Sequence, residues 1–239
     1  RQERIQRRLN SSTPRTTQPL PKPEPAAEKV RSVQQVSGRA RPLPSHLKGA
    51  VLVLSTGGPL ALQQVIPRLP AGLPVCLLIV QHMPAHFTKS LADRLNSLSH
   101  IAVAEARDRD VLTPGTVLIA PGGQHMVLTR DKKTIRIVDE PSSTLHKPSV
   151  DVTVASIVEQ FGGHALGIIM TGMGRDGAAA LKTLHSSGGY IIAQNEETSI
   201  VYGMPKAVVD EGIADEIVAL EDLATSIAAC LGTQAVSAG

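Results

Sequence analysis

A serine, a histidine and an aspartate stand at corresponding places in three separate stretches of this 239-residue chain. Ser55 follows the apolar run Val51-Leu-Val-Leu54 and precedes Thr56-Gly-Gly-Pro59. His82 follows the run Val75 to Val80 and Gln81, and precedes Met83-Pro84. Asp176 lies in Thr171-Gly-Met-Gly-Arg-Asp-Gly177, directly after the run Ala165 to Met170. A serine hydroxyl is a weak nucleophile until a base takes its proton, an imidazole titrates near neutrality, and a carboxylate can fix the imidazole's tautomer and stabilise its protonated form. The chemistry these types can do together is acyl transfer to water. The order Ser, His, Asp differs from that of familiar hydrolases, and Ser55 is not in a Gly-x-Ser-x-Gly elbow, so geometry has to identify the constellation.

Each residue also has a local reading. Ser55 could cap the helix after a glycine turn, His82 could be satisfied at a strand end, and Asp176 could be the N-cap of the helix that follows it. His86, His125, His146 and His185 compete for any histidine role. The glycine-rich stretches could cradle a phosphate at a helix N-terminus. Neither carries the Gly-Lys-Ser/Thr of a P-loop, however, and Gly172 to Gly177, which spells Gly-x-Gly-x-x-Gly, lacks the acidic residue expected further on. His, Cys and carboxylates show no metal-ligand spacing, and no metal or organic cofactor is expected.

The elements that must position these residues follow from hydrophobic pattern. Val51 to Leu54, Val75 to Val80, Ala165 to Met170 and Tyr190 to Ala193 are continuous apolar runs, the pattern of strands buried on both faces of a parallel sheet. Gly57 and Gly58 allow a sharp turn after Ser55, and Pro59 suits the start of a helix. Helices are expected over 59–68, 86–97, 149–160, 178–184, 204–211 and 221–231, the last capped by acidic residues, with short strands at 101–104, 116–120 and 217–219. Gln124 to Thr129 and Thr134 to Val138 flank the polar turn Asp131-Lys-Lys133, a hairpin signal. Strands alternating with helices argue for a doubly wound α/β fold, a mostly parallel sheet with helices on both faces and one small β-hairpin. Ser55, His82 and Asp176 then leave the carboxyl ends of three strands, where ligand crevices of such sheets lie.

Composition narrows the class. Hydrophobic residues make up 42% of the chain and aromatics 2%, with no Trp, so the core must be built from Leu, Ile, Val and Ala, and no stacking platform for single-stranded nucleic acid exists. Residues 1–48 hold 11 Lys or Arg against 3 acids, whereas the rest holds 13 against 18, so the basic balance belongs to the N-terminal part. That part, residues 1–47, is rich in Pro, Gln, Ser, Thr and Arg without sustained apolar periodicity, and reads as a disordered basic interdomain linker ahead of a domain over 48–235. Its cations are read as those of a solvated tether, not of a nucleic-acid-binding arm. Cys76 and Cys230, far apart in apolar contexts, read as thiols of a reducing compartment. With no apolar stretch of membrane-spanning length and no signal-peptide core, the expected location is cytoplasmic.

Seven segments in order, Ser55-Thr-Gly-Gly-Pro59, Gln81-His-Met-Pro84, Ile119-Ala-Pro-Gly122, His146-Lys-Pro-Ser-Val-Asp151, Thr171-Gly-Met-Gly-Arg-Asp-Gly177, Ala193-Gln-Asn-Glu196 and Gly203-Met-Pro205, resemble the catalytic domain of the chemotaxis protein-glutamate methylesterase family, over roughly residues 49 to 231. The resemblance implies Ser55 as nucleophile, His82 as general base and acid, and Asp176 as the group orienting the histidine. It further implies the backbone N–H of Met173 as an oxyanion donor and Thr56 as a site-lining residue, with His146 and Ser149 near the cleft rim. The implied substrates are glutamate γ-methyl esters on methyl-accepting chemotaxis receptors, with deamidation of receptor glutamines by the same acyl-enzyme. An upstream receiver domain of the two-component type is also implied, because the chain opens on Arg1 in what resembles the family's interdomain linker. The chain departs from the family in carrying the bulky Val53 and Leu54 before the serine, and Arg175 where asparagine is common. Val53 and Leu54 motivate an alternative: a catalytically degenerate homologue that docks on receptors.

Overall fold

The computed structural model describes residues 34–35, 42–43 and 46–236. Most of the segment expected to be a linker therefore lies outside the described residues. Within it, Gln34–Gln35 forms a two-residue strand, β1. The domain proper begins with β2 (Gly49–Leu54), α1 (Gly58–Val65), β3 (Leu77–Gln81), α2 (Phe87–Leu98), β4 (Ala102–Glu105) and β5 (Thr116–Ile119). A hairpin follows, β6 (His125–Leu128) and β7 (Ile135–Val138), and then α3 (Val150–Phe161) and β8 (Ala165–Ile169). The chain closes with α4 (Ala178–Ser186), β9 (Tyr190–Gln194), α5 (Gly203–Asp210), β10 (Glu216–Val218) and α6 (Leu223–Cys230).

Eight of these strands form one sheet in the order β1-β10-β9-β8-β2-β3-β5-β4, parallel throughout except for the antiparallel pairing of β1 on β10. β2 lies in the middle. From it the chain moves outward to β3 on one side, while β8 occupies the other side and leads outward to β9 and β10. That reversal is where an open α/β sheet leaves a crevice beyond its strand ends.

Alternate side chains of the buried strands feed two cores. Leu52, Leu54, Ile79 and Ile168 pack with Leu62 of α1, Leu95 of α2 and Ile227 of α6 on one face. Val51, Val53, Val80 and Ile169 pack with Val154 of α3, Leu181 of α4, Val208 of α5 and Met126 of the hairpin on the other. This double burial is why the strands read as unbroken apolar runs, each fully buried branched side chain contributing about 1.5–3 kcal/mol. Val53 and Leu54, 0% exposed, belong to opposite cores, so their bulk is absorbed behind Ser55.

Two expected helices are shorter than their pattern. The expected helix 59–68 stops at Val65 and tightens into a 3-10 turn over Ile66–Arg68, where Pro67 has no N–H to continue the ladder. The expected helix 221–231 is a 3-10 turn over Leu220–Asp222 followed by α6, and Asp222, at its N-cap, makes no side-chain cap hydrogen bond. The hairpin turn is built as expected: Lys132 is left-handed at φ 63°, and Asp131 Oδ1 accepts the N–H groups of Lys133 and Thr134. Cys76 is buried and Cys230 half-buried, both as free thiols. Among the described residues no helix is long and apolar enough to cross a membrane.

Candidate active site

The register of β2 against its neighbours places the candidate nucleophile. Leu54 pairs with Gln81 and Val53 with Ile169, so Ser55 comes level with His82 on one side and Thr171 on the other. Backbone bonds carry the ladder one step past the strands: His82 N–H donates to Leu54 O (3.1 Å) and Ser55 N–H to Thr171 O (3.0 Å). Gly172 presses against the serine, since a Cβ there would lie 2.9 Å from Ser55 Cβ and 2.3 Å from Met204 Sδ.

His82 and Asp176 are brought together. Imidazole Nε2 lies 2.7 Å from Asp176 Oδ2, with only 8% and 12% of the two side chains exposed. Asp176 also accepts from Val150 N–H (2.7 Å), Asp151 N–H (3.2 Å) and Ser149 Oγ (3.1 Å). Burial pushes this carboxyl's pKa up, but the hydrogen bonds from His82 and the two backbone N–H groups outweigh it and hold the group below its ordinary value. The carboxylate therefore holds an imidazole proton on Nε2. That leaves the Nδ1 lone pair as the acceptor, and Nδ1 is buried without a partner.

The reading of Asp176 as cap of its own helix is corrected by this geometry. Gly177, left-handed at φ 93°, takes the N-cap position of α4. Asp176 instead caps α3, binding the N–H groups of its first two residues, and Asp151 of α3 returns the bond by accepting Ala180 N–H of α4 (3.0 Å). Two helix N-termini thus exchange carboxylates, each satisfying donors the other helix leaves open.

The nucleophile side is open. Ser55 Oγ makes no hydrogen bond among the described residues, so the serine–histidine contact of a closed triad is not formed. Nor do the N–H groups of Thr56, Gly57 and Met173 find an acceptor among them. Thr56 is exposed, and Met173 turns its side chain outward, 71% exposed. A half-buried hydroxyl flanked by unspent N–H groups can attack an acyl carbonyl that approaches from solvent, with donors at hand for the oxyanion.

Of the competing histidines, His146 lies in the site, its ring stacked on that of His82 at 4.2 Å between centroids. Burial lowers its pKa, and the His82 ring lowers it further against the pull of Asp176. His125 is sealed at 0% exposure, its Nδ1 accepting Ser149 N–H (3.1 Å) and its Nε2 facing Pro141 O (3.2 Å). His86 is the exposed, left-handed residue before α2, and His185 lies at the far end of α4 beside Asp215. Ser149, placed only on the rim by the sequence, is a direct partner of Asp176. Gln81, Thr171 and Gln194, buried polar side chains bordering the site, escaped sequence reasoning. Thr171 Oγ1 donates to Thr56 O (2.9 Å) and accepts Val201 N–H (3.0 Å), stitching the turn after Ser55 to the loop before α5. Their signal was a hydrogen-bonding side chain at or just beyond the end of an apolar run, where a core strand would be expected to supply another aliphatic.

A family model described as CheB methylesterase matches residues 50–227. A protein-glutamate methylesterase/protein-glutamine glutaminase of Lawsonia intracellularis is 48% identical over 182 residues, covering 74% of this chain and 50% of that protein. One of the same name from Archaeoglobus fulgidus is 48% identical over 176 residues, covering 69% of this chain and 50% of that protein. The chain thus spans about half the length of the curated relatives it matches. The crystal structure of the Thermotoga maritima CheB methylesterase catalytic domain superposes with a TM-score of 0.73 at 37% identity, covering 79% of this chain and 99% of that one.

Proposed function

Because the chain belongs to the CheB methylesterase family, we propose that it hydrolyses glutamate γ-methyl esters, releasing methanol, through Ser55, His82 and Asp176. The observation that carries this reading is the short bond between His82 and Asp176, level with Ser55 where the chain runs outward on either side of β2.

In this mechanism Asp176 keeps the imidazole proton on Nε2, and Nδ1 takes the Ser55 proton as Oγ attacks the ester carbonyl. The Oγ–Nδ1 contact forms when substrate enters, in keeping with triads that tighten only in the complex. The N–H of Met173, joined by that of Thr56 or Gly57, holds the oxyanion, a donor of this kind being worth about 10²- to 10³-fold. His82 returns its proton to the departing methoxide. Water gives a proton to the same Nδ1 and attacks the acyl-enzyme, and His82 passes that proton to Ser55 Oγ as the ester bond breaks and glutamate is freed. With a glutamine side chain the leaving group is ammonia and the acyl-enzyme is identical, so deamidation follows from the same groups, in line with the relatives' names. The substrates are methylated and amidated chemotaxis receptors, and an upstream receiver domain regulates the site.

The bulk of Val53 and Leu54, which motivated a receptor-binding homologue without catalysis, is fully taken up by the two cores and argues for no such loss. Methanol release from methylated receptor, parent chain beside Ser55→Ala, tests the proposal. The variant should fall by about 10⁴-fold or more, as when a triad nucleophile is removed. Equal rates would remove Ser55 from the mechanism.

A further inference from the structure

We propose that Gln81 is a positioning residue that sets the spacing between the candidate nucleophile and its base, an inference that rests on the hydrolase reading above. Gln81 ends β3, is 1% exposed, and directs its amide across the mouth of the strand pair. Its Nε2 donates to Ser55 O (3.0 Å) and to His82 O (2.9 Å). A primary amide has two protons to give, and both go to the backbone of the two residues whose side chains must meet. The β2–β3 ladder reaches only as far as the 3.1 Å bond from His82 N–H to Leu54 O. Beyond it Ser55 turns into α1 and His82 into the loop to Pro84, and the amide bridges the point where ladder bonds end.

Two further features mark this as a clamp and not as filling. Gln81 Oε1 is buried without a partner, a burden an aliphatic of the same length would not carry. Flipping the amide would aim that oxygen at two carbonyls, so only one orientation serves. Position 58 must also be bare: a Cβ on Gly58 would lie 1.9 Å from Oε1. Gln194, at the end of β9 and 0% exposed, is a matched counterpart with different partners. Its Oε1 accepts Thr171 N–H (2.8 Å) and its Nε2 donates to Thr198 O (2.9 Å), so it holds Thr171 and the loop after β9 and hydrogen-bonds to neither Ser55 nor His82.

The test compares Gln81→Met, Gln194→Met and Gly58→Ala in the full chain, reading methanol release from methylated receptor, thermal unfolding, and the amide resonances of Ser55 and His82. Gln81→Met should lower kcat by about 10²-fold with KM and the acid limb of the pH profile unchanged, the loss expected from a misplacement of about 1 Å with the His82–Asp176 bond intact. Gly58→Ala should reproduce that loss, and the double variant should add little to either, because both disturb one contact. Gln194→Met should lose stability to a similar extent with a much smaller fall in kcat. Parallel falls in kcat and stability for the two glutamines, or an unchanged kcat in Gln81→Met, would overturn the inference. If the parent chain releases no methanol, the hydrolase reading fails on its own. The resonances then decide: shifts at Ser55 and His82 in Gln81→Met, absent in Gln194→Met, uphold the clamp, and unmoved resonances sink it.

Discussion

The two halves of the rim are built on opposite principles. On one side every oxygen of Asp176 is engaged, by His82, Ser149, Val150 and Asp151, and the imidazole is backed by a second ring. On the other, Ser55 Oγ and the N–H groups of Thr56, Gly57 and Met173 are uncommitted among the described residues. The half that must hold a charge distribution before substrate arrives is closed, and the half that must receive charge from substrate keeps its donors unspent. Preorganised donors stabilise a transition state only if nothing in the resting protein already uses them.

Breaking the closed half should have the largest effect. Asp176→Asn removes the acceptor that fixes the tautomer and leaves the first turn of α3 with a neutral cap. The expected loss in methanol release is about 10⁴-fold, the scale seen when a triad carboxylate becomes an amide. Stability should fall as well, with a defined pH dependence. The carboxyl pKa is lowered in the folded protein, so its contribution is fully present above the unfolded value of about 3.9 and disappears as pH falls through the folded value. Thermal unfolding between pH 7 and pH 3 should therefore show parent and Asp176→Asn converging at the acid end. A gap that stays constant over that range would contradict the closed network.

Loading the open half is the second test. Gly172→Ala places a methyl 2.9 Å from Ser55 Cβ and 2.3 Å from Met204 Sδ, and the nucleophile's backbone must shift to make room. A fall in kcat of about 10²-fold is expected from displacement on this scale. The His82 ring resonances should remain as in the parent, because the nearest atoms to the added methyl belong to Met204 and Ser55 and not to the imidazole or the carboxylate. Movement of those resonances together with the kcat loss would show that the two halves are one coupled unit, and the contrast between them would fail.

The same division decides what the sequence made legible. Strands buried on two faces announce themselves as apolar runs, and the polar residues just beyond each run mark the rim, so Ser55 and His82 could be placed there. Asp176 could be placed on that rim but not understood there. Its local setting, before Gly177 and a strong helix, reads as a cap of that helix, whereas the left-handed Gly177 takes the cap position and the carboxylate serves the N-terminus of α3 instead. No one-dimensional pattern encodes an exchange of caps between helices that meet only in the folded domain. Gln81 and Gln194 were hidden for a related reason: a polar residue ending an apolar run scores as the strand's edge, and only the register shows what its amide can reach. His125 was a rival base by residue type, and its complete burial between Ser149 and Pro141 removes it.

The smallest expected effect probes the ring behind the base. His146 stacks on His82, and burial, reinforced by the adjacent imidazole, lowers its pKa below the ordinary value. The unfolded chain therefore binds a proton near pH 6.5 that the folded protein takes up only at lower pH, and the stability linked to His146 is present above about 6.5 and declines as pH drops through the folded value. His146→Phe keeps a flat ring against His82 and removes the titrating group. The variant should gain on the parent at pH 5 relative to pH 7.5 in thermal unfolding, while the contribution of Asp176, common to both chains, cancels in the difference. The same difference at both pH values would mean that the stack carries no penalty for protonation. The closed half would then owe its rigidity to the hydrogen bonds of Asp176 alone.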